Sequence, residues 1–182
     1  MKNVLVVTAT IYISSMSIFG ELTVDQSYRI NFTDVDGNAF STADGHITTV
    51  VLTSKANIDK ARLVGDRIPD FCLANPTYRM VTVLEFEAKH SGPVRAVLKS
   101  VMRHRLDSEA RRLQTRYDQL KIEHDARRDV SAVADFDGAI SAQLGAKPSA
   151  ALFQVFIFGK NGELLRRWND VPSAEELAAR LK

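Results

Sequence analysis

Apolar positions along the chain recur with two different periods, and the changes of period mark its elements. Tyr28 to Thr33 alternates loosely and reads as a first strand. Asp34-Val35-Asp36-Gly37-Asn38 follows as a turn, because Asp-Gly and Gly-Asn tolerate the positive φ that tight turns need. Asp44-Gly45 is a second turn, and Ile47 to Thr53 is a β-branched run of the kind found in strands covered on both faces. The period then changes. Asn57 suits a helix N-cap, and Ile58, Ala61, Gly65, Ile68 and Cys72 recur at steps of three and four, which is one face of a helix. Pro69 lies inside that helix, where its ring would press on the Gly65 carbonyl, so a kink or an early end is expected there.

Arg79 to Phe86 reads as the next strand. Gly92-Pro93 opens a long helix expected to run to about Lys121, with proline at a position helices accept. Its expected buried stripe is Val94, Val97, Leu98, Val101, Leu106, Ala110, Leu113, Tyr117 and Leu120. A short strand from Asp129 to Ala134, a turn at Asp135-Phe136-Asp137-Gly138 and a short helix from Ala139 to Leu144 come next. Leu152 to Phe158 and Glu163 to Trp168 form a hairpin around Gly159-Lys160-Asn161-Gly162. Ser173 and Glu176 have the spacing of a capping box at the start of a last helix. The order β, β, α, β, α, β, α, β, β, α predicts an α/β protein with a mixed central sheet and helices on both faces.

A chain of 182 residues has room for a single core, and 45% hydrophobic with 25% charged residues is ordinary globular composition. Disorder, collagen and coiled coil are excluded on that ground. Residues 1 to 20 read as a signal peptide: Lys2, an apolar run from Val4 to Ile13, and small residues at Ser15 and Ser17. That run is too short for a spanning helix, which needs roughly 20 apolar residues. The expected address is therefore periplasmic or secreted, with a single domain over residues 21 to 182 and no membrane span once the signal is cleaved. Whether the segment is cleaved or kept as an anchor stays open at this point.

At this stage the order of elements resembles the thioredoxin-like fold, in its redoxin and exported thiol–disulfide reductase branch. Three stretches carry the resemblance. Phe32-Thr33-Asp34-Val35-Asp36-Gly37-Asn38 is similar to the D-x-D-G hairpin that opens redoxins, and Val133 to Ala139 to their strand–turn–helix. Phe156-Ile157-Phe158-Gly159-Lys160-Asn161-Gly162-Glu163-Leu164 is similar to their closing F-L-I-D-x-D-G-x-I hairpin. The implied architecture is a three-layer α/β/α sandwich. The resemblance also implies a redox cysteine pair between Thr53 and Asn57, where this chain reads Ser54-Lys55-Ala56-Asn57. It implies a cis-proline just before the strand at Val155, where counting back from the hairpin finds Phe153, with Pro148 about five residues too early. Disulfide exchange needs one thiolate to attack and a second thiol to resolve. A disulfide reductase is therefore not expected.

Cys72 is the single cysteine, so an intramolecular disulfide, a CxxC pair and a multi-cysteine zinc site are excluded. As a candidate catalytic residue it would serve a one-cysteine peroxidase or thiol sensor. Its place late in its helix and on the apolar stripe favours a core role instead. His46, His90, His104 and His124 have no metal-ligand spacing, and Asp135-Phe136-Asp137-Gly138 lacks the later ligands of a calcium loop. No metal and no cofactor are expected.

The net charge of +2 names no partner, but Lys89 to Arg128 holds eleven basic and five acidic residues. Arg95, Arg103, Arg112 and Arg116 are expected to project to solvent. Arg103, Arg112 and Arg116 there are candidates for binding an envelope protein with an acidic surface. Local pairs on a solvated face are the alternative. Nucleic acid is not expected. The expected role is an exported, redox-inactive binding or accessory module. Ser54, Lys55 and Asn57 at the former redox loop are candidate binding residues, and a thiol enzyme using Cys72 is the alternative. The oligomeric state is not legible.

Overall fold

The computed structural model describes residues 20–86, 88–147, 149 and 151–182. The expected signal segment and Pro148 lie outside them, apart from Gly20. A small hairpin comes first, β1 (Asn31–Thr33) against β2 (Ala39–Ser41), joined by the Asp34 turn. Asp34 Oδ1 accepts the backbone N–H groups of Asp36 at 2.9 Å and Asn38 at 2.8 Å, which closes the turn. The strand β2 was not expected. The first strand is also shorter than the Tyr28–Thr33 expected, because the Ile30 N–H is taken by the Thr42 hydroxyl at 3.0 Å and the Tyr28 N–H by the Gly162 carbonyl at 2.8 Å.

Five strands form the main sheet: β3 (Ile47–Ser54), β4 (Tyr78–Glu85), β5 (Ser131–Asp135), β6 (Phe153–Phe158) and β7 (Leu164–Trp168). Their order is β5-β4-β3-β6-β7, with β3, β4 and β5 parallel and β6 and β7 antiparallel to their neighbours. The mixed sheet expected from the alternation of elements is thus observed. Alternation along each strand sorts the core into two layers. Val50, Leu52, Val81, Val83, Phe156 and Phe158 pack with Ile30, Phe32 and Leu144 on one face. Val51, Val155 and Ile157 pack with Ala61, Val64, Leu177 and Leu181 on the other.

The helices are α1 (Ile58–Arg67), α2 (Gly92–Leu120), α3 (Ala139–Gln143) and α4 (Ala174–Leu181). The first ends early rather than kinking: Ile68, held in an extended conformation (ψ 129°) before Pro69, stops it. Cys72 therefore belongs to a separate 3₁₀ turn, Asp70–Cys72. Ser173 and Glu176 form the expected capping box. The long α2 spans roughly 43 Å at 1.5 Å per residue, and among the described residues no helix is long and apolar enough to cross a membrane.

The buried stripe of α2 differs from expectation. Met102, Ala110 and Tyr117 are buried, whereas Val94, Val97, Val101 and Leu120 are exposed, Val97 at 63%. At 100° per residue the nine expected positions fall on two faces roughly 120° apart. Val94, Val97, Leu98 and Val101 lie on one, and Leu106, Ala110, Leu113, Tyr117 and Leu120 on the other. Ala110 and Tyr117 of the second set and Met102 beside it are buried, Leu106 and Leu113 of that set and Leu98 of the first are half-buried, and Leu120 stays exposed.

Candidate functional site

The carboxyl ends of parallel strands are where open α/β sheets place their ligands, and three buried polar residues meet there. Ser54, Glu85 and Asp135 are in register at the ends of β3, β4 and β5, and all three are buried. Asp135 Oδ2 accepts the N–H and the hydroxyl of Ser141, both at 2.7 Å, which ties the start of α3 to the sheet. A 3₁₀ turn, Lys55–Asn57, then leads into α1. The Leu152 carbonyl accepts the Ser54 N–H at 3.0 Å and the Asn57 Nδ2 at 3.3 Å. Leu152 thus faces the turn. Phe153, found by counting back, is instead the first residue of β6, with the Lys60 Nζ 5.4 Å from its ring centre. The three loop candidates therefore diverge. Ser54 is buried at the sheet edge, Asn57 is tied to Leu152, and Lys55 reaches a cavity.

Cys72 is 8% exposed and packs with Ala61, Val64, Leu177 and Leu181. Burial pushes its thiol up to about 11. A reactive cysteine needs the opposite, a positive neighbour or a helix N-terminus that lowers the pKa.

The arginines of α2 pair with groups of their own chain; Arg103 and Arg112 are exposed, as expected, while Arg95 and Arg116 are half-buried. Arg103 Nε donates to the Val35 carbonyl at 2.8 Å and lies 3.3 Å from Asp36 Oδ1. Arg112 pairs with Asp66 at 2.8 Å and Glu109 at 3.2 Å. Arg116 donates to the Ile68 carbonyl at 2.8 Å and pairs with Asp70. Arg95 pairs with Asp137 at 2.5 Å, and Arg62 of α1 with Glu109 at 2.6 Å. At its C-terminal end Tyr117 Oη donates to Asp129 Oδ2 at 2.5 Å and accepts the Ala74 N–H at 3.1 Å. These posts hold α2 above the sheet.

Beneath it is a cavity of about 1410 Å³. Its lining includes Met80 and Thr82 of β4 and Leu98, Leu106 and Leu113 of α2, and Leu84 and Ala132, which also line it, pack directly against Met102 and Leu106. It runs along β4 from Cys72 and Tyr78 at one end to Phe86 and Lys55 at the other. Ordinary ligand pockets measure about 300–1,000 Å³, so the space is ample for a small molecule. The periodicity of the chain did not point to this cavity. The signal for it was the change of apolar face partway along α2.

A central parallel strand followed by a 3₁₀ turn and helix, β4 and β5 added parallel on one side and an antiparallel hairpin on the other, define the thioredoxin-like fold. The chain has that fold, with Ser54-Lys55-Ala56-Asn57 at the start of α1. Among solved structures, it is similar to the exposed lipoprotein thioredoxin of Streptococcus pneumoniae, at 12% identity and a TM-score of 0.53 over 85% of this chain and 98% of that one. A secreted thiol-disulfide isomerase from Corynebacterium glutamicum has 9% identity and a TM-score of 0.53 over 94% and 95%. A thiol:disulfide interchange protein from Chlorobium tepidum has 11% identity and a TM-score of 0.50 over 88% and 94%. No protein-family model and no curated protein matches the chain.

Proposed function

We propose that this chain is an exported thioredoxin-like protein that has given up thiol–disulfide exchange and serves as a non-catalytic binding module. The observation that carries the reading is the pairing of Ser54-Lys55-Ala56-Asn57 at the start of α1 with a lone cysteine that is buried and hard to ionise. Two-electron exchange has neither an attacking thiolate at the sheet edge nor a resolving partner. A one-cysteine peroxidase needs a thiolate open to peroxide, and the burial of Cys72 speaks against it. Export rests on the pattern of residues 1 to 20, and two structural neighbours, an exposed lipoprotein and a secreted isomerase, agree with it.

The test is insulin reduction. With dithiothreitol as the electron source, the protein should leave the onset of insulin turbidity where dithiothreitol alone puts it. Acceleration that disappears in Cys72→Ala would return the chain to the thiol enzymes. Protein recovered from an envelope fraction should begin between about residue 18 and residue 21, and Met1 retained on a cytoplasmic protein would remove the export claim.

A further inference from the structure

We propose that the cavity beneath α2 binds a single linear acyl chain, with its carboxylate held by Lys55 and Arg105; this rests on the binding-module reading and names its ligand class. Three observations converge on it. The cavity lies beside β4, and most of its lining surface is apolar, with Met80, Leu98, Leu106 and Leu113 among the residues that form it. That lining suits a chain of methylenes better than a compact polar metabolite.

The second observation is the charge on the rim. Most charged groups lining the cavity are already paired: Arg62 with Glu109, Arg79 with Asp44, Arg112 with Asp66, Arg116 with Asp70. Asp59 is paired with Arg62, and Asp129 accepts from Tyr117. Lys55 and Arg105 also line the cavity, are exposed, and have no carboxylate partner among the described residues. The uncompensated charge is therefore positive, and an anionic head group is the complement.

The third observation is their placement. Arg105 lies one turn beyond Val101 on α2. Leu98 and Val101 line the same cavity, and Lys55 enters it from the start of α1. Apolar lining beside two cations without a carboxylate partner is the arrangement an amphipathic anion needs. A free fatty acid has that chemistry.

The experiment is calorimetric titration of the delipidated full chain with decanoate, dodecanoate and tetradecanoate below their micelle concentrations. Saturable one-to-one binding is expected, tightening up to about fourfold per added methylene. Lys55→Glu with Arg105→Glu should weaken dodecanoate at least tenfold, while dodecanol and dodecyltrimethylammonium bind worse than the acid. Gly65→Leu blocks the space: Gly65 lines the cavity, and a Cβ there would meet only the Met80 side chain at 3.7 Å, an ordinary contact. That variant should keep the melting temperature and lose the ligand.

Absence of saturable binding by any of the acids would overturn the proposal. So would dodecanol binding as tightly as the acid with no effect of the charge reversal, or dodecanoate binding that survives Gly65→Leu. Insulin reduction is read on the same sample. A protein that binds no acid and reduces no insulin loses the ligand but keeps the binding-module reading, whereas one that reduces insulin loses that reading whatever it binds.

Discussion

The thiol of Cys72 decides between the two functional classes, and its behaviour can be worked out from its surroundings. Burial among Ala61, Val64 and Leu177 moves the thiol from its ordinary value of 9.0 to about 11. At neutral pH that lowers the thiolate fraction roughly a hundredfold relative to an ordinary cysteine, since each unit is a factor of ten. Burial of the sulfur slows a bulky reagent further. Labelling by an aromatic disulfide at pH 8 should therefore be at least about 100-fold slower in the native protein than in guanidinium, and the native rate should still be climbing at pH 10. Stability carries the same shift with a definite sign. Above about pH 9 the unfolded chain gives up this proton while the folded chain keeps it, so the unfolded state binds fewer protons and stability falls as pH rises. The contribution is complete below pH 9 and is lost between about 9 and 11, on the order of 2 kcal/mol. Urea titrations at pH 8 and pH 10.5 on wild type and Cys72→Ala measure it: the wild type should lose more over that interval than the variant. Native labelling within tenfold of the denatured rate, with a plateau below pH 8, would refute the burial argument and revive the thiol enzyme.

Arg116→Glu should cost about 1–2 kcal/mol in urea unfolding, because it removes a donor from the Ile68 carbonyl and sets a carboxylate against Asp70; an unchanged midpoint would mean that this post carries no energy. Tyr117→Phe leaves the Ala74 N–H and a carboxylate oxygen of Asp129 without that partner, and about 1–3 kcal/mol should be lost. A loss below about 0.5 kcal/mol, within the usual scatter of surface changes, would show that this network does not anchor the end of α2.

Much of the scaffold was legible in the residues. The β-branched run at Ile47 and the continuous apolar run around Phe156 report strands buried on both faces, because such short apolar runs suit doubly covered strands. Pro69 likewise acts on its neighbours alone, and α1 ends at Arg67, two residues before it. The strand Ala39–Ser41 escaped notice because three residues are too few to show a period. The missing cysteine pair was also plain from the chain, since it is a statement about residue identity. Tertiary structure decided the rest. Arg112 meets Asp66, and Arg116 meets Asp70, each 46 positions away, and no local pattern encodes which of two charged faces will touch. The basic segment, read as a solvated face with local pairs or as a candidate partner surface, thus pairs chiefly with residues distant in sequence. The cavity depends on the same kind of long-range fact: residues of α1, β4 and α2, far apart in the chain, line it together, and which of them meet is a property of elements packed together.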